Sequence, residues 1–291
     1  MNATSAPLPI IRTVCELRDV VRDWRKQGLS VALVPTMGAL HDGHLTLVAE
    51  ALRQADRVVT SVFVNPTQFA PTEDLATYPR REARDAELLA GAGASVMYAP
   101  TVDQMYPPGF ITTVTVGDAE TGGPAQDLEG AARPQMFGGV ALVVSKLLNQ
   151  AQTDVAVFGE KDWQQLMFVR RMVADLDIPT LIVSVPIARD ADGFALSSRN
   201  AYLSEAELVI ARKLNLLLAE AARKAAAGQS VAAVEQAASD AILAAGFERV
   251  DYVAIRRADD LSIFARTVDA PARILVAAWL GKTRLIDNMA V

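Results

Sequence analysis

The sequence predicts an α/β protein, a mostly parallel sheet covered by helices on both faces, followed by a smaller α+β unit. Three observations predict it. From Val31 to Val185, short apolar runs rich in β-branched residues alternate with helix-length amphipathic segments, the pattern of strand–helix–strand units. After Pro186 the alternation stops, and an alanine-rich stretch precedes three strand-like runs. Hydrophobic residues make up 51% of the 291 residues and charged residues 21%, ordinary globular usage with enough apolar material for a core.

In chain order, residues 31–35 read as a buried strand, and Leu45, Val48, Ala49 and Leu52 recur at i, i+3, i+4 and i+7, the stripe of an amphipathic helix. A strand follows at 57–64, a helix at 81–90, a strand at 95–98, and a further strand at 111–116 from its alternating Thr and Val. The remaining elements of this half are a helix at 140–150, a strand at 154–158, a helix at 162–175 and a strand at 180–185. The boundary falls near 187, dividing the chain into 1–187 and 188–291. Beyond it, residues 205–245 predict two helices divided by Gly228 and Ser230, the first with a buried stripe of Ile210, Leu214, Leu217 and Ala221. Strands are expected at 251–256, 273–280 and 283–286.

The net charge of −6, from 34 acidic and 28 basic side chains, disfavours nucleic acid or an anionic membrane as partner. A polyanionic ligand therefore needs positive groups concentrated locally. Cys15 is the single cysteine, which excludes an internal disulfide and a zinc cluster of several thiolates; a small buried residue is the expectation there. The first nine residues lack a signal-peptide pattern, and the most apolar run, 274–281, is too short to span a bilayer. A cytoplasmic chain is expected.

In open parallel sheets, ligands sit beyond the carboxyl ends of the strands, so the strand-to-helix turns carry the chemistry. The first strand runs into Met37-Gly38-Ala39-Leu40-His41-Asp42-Gly43-His44, which holds the chain's only two histidines. A helix starting at Asp42 or Gly43 places both imidazoles beside free backbone N–H groups, a ready phosphate site. Asp42 as a simple N-cap, or two histidines binding a metal, are the alternatives. The next strand ends before Asn65-Pro66-Thr67-Gln68, ordinary turn chemistry whose position makes the amides of Asn65 and Gln68 candidates for a hydroxyl- and carbonyl-bearing substrate. In Gly159-Glu160-Lys161-Asp162, Lys161 shares a helix face with Gln165, although a solvated lysine explains it too. Ser197-Ser198-Arg199 offers hydroxyls and a guanidinium fork to phosphate, with Gly193 nearby to let the segment move as a lid. Neither a P-loop nor a dinucleotide fingerprint is present.

These segments together resemble the pantoate–β-alanine ligases. The resemblance rests on P-T-M-G-A-L-H-D-G-H at 35–44, V-N-P-T-Q-F at 64–69, Y-P-R at 78–80 and L-E-G-A-A-R-P at 128–134. It continues in F-G-E-K-D-W-Q-Q-L at 158–166, D-G-F-A-L-S-S-R-N-A-Y-L at 192–203 and T-R-L-I-D-N at 283–288. It implies a Rossmann-like, doubly wound N-terminal domain binding ATP and pantoate, a smaller C-terminal lid, and a homodimer. It implies ATP-dependent joining of pantoate to β-alanine through an enzyme-bound adenylate, with Mg²⁺ accompanying ATP. Carried onto this chain, the catalytic groups are His44, His41, Lys161 and Arg199. The ATP site is Met37 to His44, Gly159 to Asp162, Ala188, and Leu196, Ser197, Ser198 and Arg199. Pantoate falls to Gln68 and Gln165, with Asn65, Tyr78 and Arg133 beside them, and Asp85 is the candidate metal ligand. One departure is Gln135-Met136, where the family usually has Gly-His, beside Arg133. A nucleotidyltransferase that stops at adenylyl transfer, and a non-catalytic nucleotide-binding protein, are the rival functions.

Overall fold

In the computed structural model, which describes residues 7–71, 73–117 and 122–291, the first half folds around six strands. They are β1 (Ile10–Ile11), β2 (Val31–Thr36), β3 (Arg57–Val62), β4 (Val96–Tyr98), β5 (Val155–Gly159) and β6 (Leu181–Val185). Their order is β1-β4-β3-β2-β5-β6, and every adjacent pair is parallel. Seven helices accompany them: α1 (Val14–Lys26), α2 (Asp42–Gln54), α3 (Glu82–Ala92), α4 (Val102–Met105), α5 (Glu129–Ala132), α6 (Met136–Ala151) and α7 (Trp163–Asp175).

The alternation of side chains in β2 assigns the two layers. Val31 and Leu33 pack in one cluster with residues of α1, α6 and α7, while Ala32 and Val34 pack in another with α2 and α3. All four are fully buried, as a strand covered on both faces must be. The chain runs from β2 to β3 on one side and from β5 to β6 on the other. The sheet therefore reverses direction between β2 and β5, and their carboxyl ends bound the crevice where ligands sit in such folds.

Beyond β6 come α8 (Glu205–Ala211), α9 (Leu214–Ala226) and α10 (Val231–Ala244), then the antiparallel sheet of β7 (Arg249–Arg257), β8 (Ala272–Leu280) and β9 (Thr283–Ala290). Ile274, Val276, Ala278 and Leu280 of β8 face α9 and α10, whereas Leu275 joins the core of the first half. The central strand of the small sheet is thus buried on both faces.

Several expectations need correction. In α2 the buried residues are Leu47, Val48 and Ala51, while Ala49 and Leu52 are exposed. Apolar residues at 45, 47, 48, 49, 51 and 52 allow two helical faces, and packing against β2 and β5 selects the other one. Residues 111–116 form no strand, and Ile111 is 91% exposed. The 205–245 stretch holds three helices, because the first breaks at Arg212 and Lys213. Cys15 is exposed, on the outer side of α1. Met1 to Ala6, most of the segment searched for a signal peptide, lie outside the described residues. Among those described, no helix is long and apolar enough to cross a membrane.

One glycine couples the core to the crevice. Gly139 of α6 faces the 3₁₀ turn Pro66–Gln68, and a Cβ there would lie 2.5 Å from the Thr67 carbonyl carbon and 2.8 Å from the Gln68 nitrogen. Gly139→Ala should therefore push the turn off the helix and cost about 1–3 kcal/mol of stability. An unchanged urea midpoint for that variant would show that the turn yields freely.

Candidate active site

A cleft of about 1830 Å³ opens at the carboxyl ends of β2 and β5 and is roofed by the C-terminal unit. Its floor begins at the turn after β2. Gly38 has φ +82° and Ala39 φ +51°, so the backbone doubles back and points successive amides at Asp85. The carboxylate of Asp85, buried beneath the turn, accepts from Ala39 N at 3.0 Å and Leu40 N at 2.8 Å. Burial outweighs those bonds and raises the Asp85 pKa above the ordinary carboxylate value. Asp85 thus holds the turn, with both carboxylate oxygens engaged by its backbone amides.

The start of α2 is capped by the histidines themselves. His41 is the N-cap, in place of Asp42, and its Nδ1 accepts from Gly43 N at 3.1 Å. His44 Nδ1 accepts from His41 N at 3.3 Å, and the ring centroids lie 4.2 Å apart. A ring nitrogen that accepts a hydrogen bond carries no proton, so each neutral imidazole keeps its N–H on Nε2. Burial first, then His41 and Lys161, push the His44 pKa down to about 3, and burial and Lys161 lower that of His41. Both rings are neutral donors at pH 7.

Lys161 enters from the 3₁₀ turn Glu160–Asp162 after β5, its Nζ 3.7 Å from Asp162. Opposite, Arg199 lies in the 3₁₀ turn Ser198–Tyr202, whose N-cap Ser197 accepts from Arg199 N at 3.3 Å. The Arg199 guanidinium pairs with Asp74 at 3.1 Å and stacks 6.0 Å from the Tyr78 ring centroid. Tyr78 and Ser198 hydroxyls meet at 3.3 Å. This loop therefore touches the first half directly, and the Asp190–Phe194 turn behind it is braced by Arg212.

Met37, His41, Gly43, His44, Gln68, Tyr78, Arg133, Gly159, Lys161, Asp162 and Gln165 all reach the cleft, as do Ala188, Leu196, Ser197, Ser198 and Arg199. Seven expected residues do not: Gly38, Ala39, Leu40, Asp42, Asn65, Asp85 and Glu160. Asn65 is fully buried. Its Nδ2 donates to Gln68 Oε1 at 2.8 Å and to Gly139 O, and its Oδ1 accepts from Thr67 and Tyr106. It orients Gln68. The Glu160 carboxylate is taken up by Ser184 and by Arg273 of the C-terminal sheet.

Residues far apart in the chain complete the wall. Arg133 grips Glu73 with two bonds, at 2.6 and 2.8 Å, and its guanidinium also touches the sulfur of Met136. Buried Glu129 accepts two bonds from Arg284, at 2.6 and 2.8 Å, and one from Tyr252 at 2.8 Å. Gln164 fixes the preceding loop, accepting from Glu129 N and donating to Pro124 O and Asp127 O. Sequence reasoning missed Glu129, Gln164 and Arg284 as site-building residues, although all three lie inside the quoted motifs.

The family model described as Pantoate-beta-alanine ligase matches residues 9–290. The pantothenate synthetase of Caulobacter vibrioides is 57% identical over 97% of this chain and 98% of its own length. A crystal structure of pantothenate synthetase from Thermus thermophilus superposes with a TM-score of 0.89 at 45% identity, covering 97% of this chain and 99% of that one. The Francisella tularensis pantoate-beta-alanine ligase, solved with beta-gamma ATP and beta-alanine, has a TM-score of 0.81 at 31% identity, with 97% of each chain covered. The chain belongs to the pantoate-beta-alanine ligase family, and its reaction is the ATP-dependent joining of pantoate to β-alanine.

Proposed function

We propose that the cleft performs this ligation in two steps, with residues 1–187 carrying ATP and pantoate and residues 188–291 serving as the lid. In the first step a pantoate carboxylate oxygen attacks the α-phosphorus of ATP, and the bond to the β-phosphate oxygen breaks, giving pantoyl adenylate and pyrophosphate. In the second the β-alanine amine attacks the acyl carbon, AMP leaves with the bonding pair, and the nitrogen loses a proton. The observation that carries this reading is the pair of neutral imidazoles at the start of α2, facing Lys161 and Arg199 across one cleft. Neutral N–H donors and fixed cations stabilise charge growing on the α-phosphate without reorganising at the moment of reaction.

His44 and His41 would bind phosphate oxygens through Nε2–H, and Lys161 and Arg199 would balance the leaving pyrophosphate. Asp162 would face the ribose, and Ala188 and Leu196 to Ser198 would complete the nucleotide wall. Gln68 and Gln165 would hold the hydroxyl and carboxylate groups of pantoate, with Tyr78 and Arg133 closing that end. Mg²⁺ is proposed only as the counter-ion that ATP brings, since phosphate oxygens and retained waters together supply the oxygens that ion needs. Among the described residues no group of three or more His, Cys, Asp or Glu side chains could hold a metal, so no step is assigned to a resident ion. The proposed assembly is a homodimer and the proposed compartment the cytoplasm.

The test of the two-step reading is pantoate-dependent exchange of labelled pyrophosphate into ATP without β-alanine, followed by AMP release when the amine is added. Exchange without later amide formation would point to the nucleotidyltransferase alternative. His44→Ala should lower the exchange rate by about 10²–10³, the usual loss on removing one such donor; near-normal exchange would remove His44 from its role. Gln68→Ala should raise the pantoate KM about 5- to 10-fold, the worth of one hydrogen bond, with kcat and the ATP KM nearly unchanged. A fall in kcat alone would place Gln68 elsewhere in the reaction.

Acid stability reads the His44 environment independently. The folded imidazole takes a proton only near pH 3, whereas the unfolded one does so near 6.5. Between those values the unfolded chain binds more protons, so this group's contribution to stability falls as pH drops from about 6.5 towards 3. In His44→Gln the decline in urea midpoint over that range should be shallower. Parallel declines in both proteins would mean that His44 is protonated normally.

A further inference from the structure

Asn288 is the residue this site leaves unexplained. It lies on β9, 127 positions from Lys161, and is 2% exposed. Its Nδ2 donates one hydrogen to the carbonyl of Glu160 at 2.9 Å and the other to the carbonyl of Lys161 at 2.8 Å. Its Oδ1 accepts from Arg273 Nη1 at 2.6 Å. Both donors and the acceptor are engaged, so this side chain is built to hold protein rather than ligand.

The turn it grips has little to hold it locally. Asp162 stands at the N-cap of α7, yet its side chain makes no capping bond, and Gly159 before the turn caps nothing either. The backbone of Glu160–Asp162 thus relies on partners from elsewhere. Asn288 itself is fixed on the other side. Its N–H donates to Asp287 Oδ1 at 2.7 Å, and Arg189 binds Asp287 with two bonds, at 2.7 and 2.9 Å, and the Asn288 carbonyl at 3.1 Å. Arg273 bonds the Glu160 carboxylate at 3.0 Å and lies 3.6 Å over the Trp163 ring. Arg189 opens the loop that ends in Arg199, so the Asp287-Asn288 pair holds both cation-bearing segments to one point on β9.

We propose that Asn288 is a positioning residue for the ligation, fixing the backbone of the Lys161 turn so that the ammonium is presented to the phosphates. Resting on the catalytic reading of Lys161, it makes the C-terminal sheet a working part of the lysine's placement. Displacing a catalytic group by about 1 Å costs about 10²-fold in rate. The discriminating variant is Asn288→Leu, close to the same shape and uncharged, which removes the donation to the two carbonyls without setting a carboxylate against them. The expected result is a 10- to 100-fold loss of kcat, with pantoate and ATP KM within about threefold of the parent, in a variant that remains folded at the assay temperature.

The decisive experiment is a double-mutant cycle with Lys161→Ala, with Asn288→Ala run in parallel. If Asn288 acts through the lysine, then in the Lys161→Ala background either Asn288 change should remove less than about twofold more. The full 10- to 100-fold loss in both backgrounds would overturn the proposal, as would a lowered melting temperature with kcat retained. The single Lys161→Ala variant reads the other premise separately: normal turnover there would strike the lysine's own role, whatever Asn288 does.

Discussion

Backbone N–H groups at the start of a helix have no carbonyl to pair with, and the site depends on how those of the 37–44 turn are shared out. Asp85 takes the amides of Ala39 and Leu40 from below. The two histidines take those of Gly43 and His41 from the cleft side. Ring nitrogens do here what a Ser hydroxyl and a Glu carboxylate do in an ordinary capping box. The consequence is chemical, because a ring whose Nδ1 accepts must hold its proton on Nε2. One local constraint thereby sets the fold of the turn, the orientation of both imidazoles and their tautomers.

Charge is arranged on the same principle. The chain is net acidic, yet Lys161, Arg199 and Arg133 reach one cleft from three separate segments. Each is held by a carboxylate nearby: Asp162, Asp74 and Glu73 respectively. Neutral histidines at the centre avoid setting two further positive charges against Lys161, where both repulsion and burial would oppose them. An arriving polyanion then meets cations whose positions are already set.

Much of this was legible in the sequence, and the failures have physical causes. The strand-to-helix turns were readable because apolar alternation fixes where strands end and because parallel sheets present ligands there. The stripe of α2 was misread because six apolar residues in eight positions define no single face. Residues 111–116 alternate like a strand, but alternation supplies no partner, and a strand needs one. Within the site, Asn65 and Glu160 belong to the quoted motifs, yet the side chains of both are hydrogen-bonded to protein. A linear motif shows which residues travel together and is silent on which of them face the ligand. Glu129 and Arg284 sit in quoted motifs, but nothing local shows that they pair across 155 positions.

The two sides of the cleft are held with unequal force. Arg199–Asp74 is a partly exposed ion pair and Tyr78–Ser198 a long hydroxyl contact, each a weak hold. Glu129 and Arg284, in contrast, are 7% and 14% exposed, and Tyr252 adds a third bond. Separating that pair would leave a buried carboxylate without its strongest partner, a penalty of several kcal/mol that water at the surface never imposes. The same logic applies to the Glu160 and Lys161 carbonyls under Asn288. Hydrophobic contact, here that of Leu275 and Ala254 with the first half, is non-directional and by itself specifies register weakly. Buried polar partners admit only one, so the register of β9 against α5 and the Lys161 turn is set by unpaired charge avoided rather than by area buried.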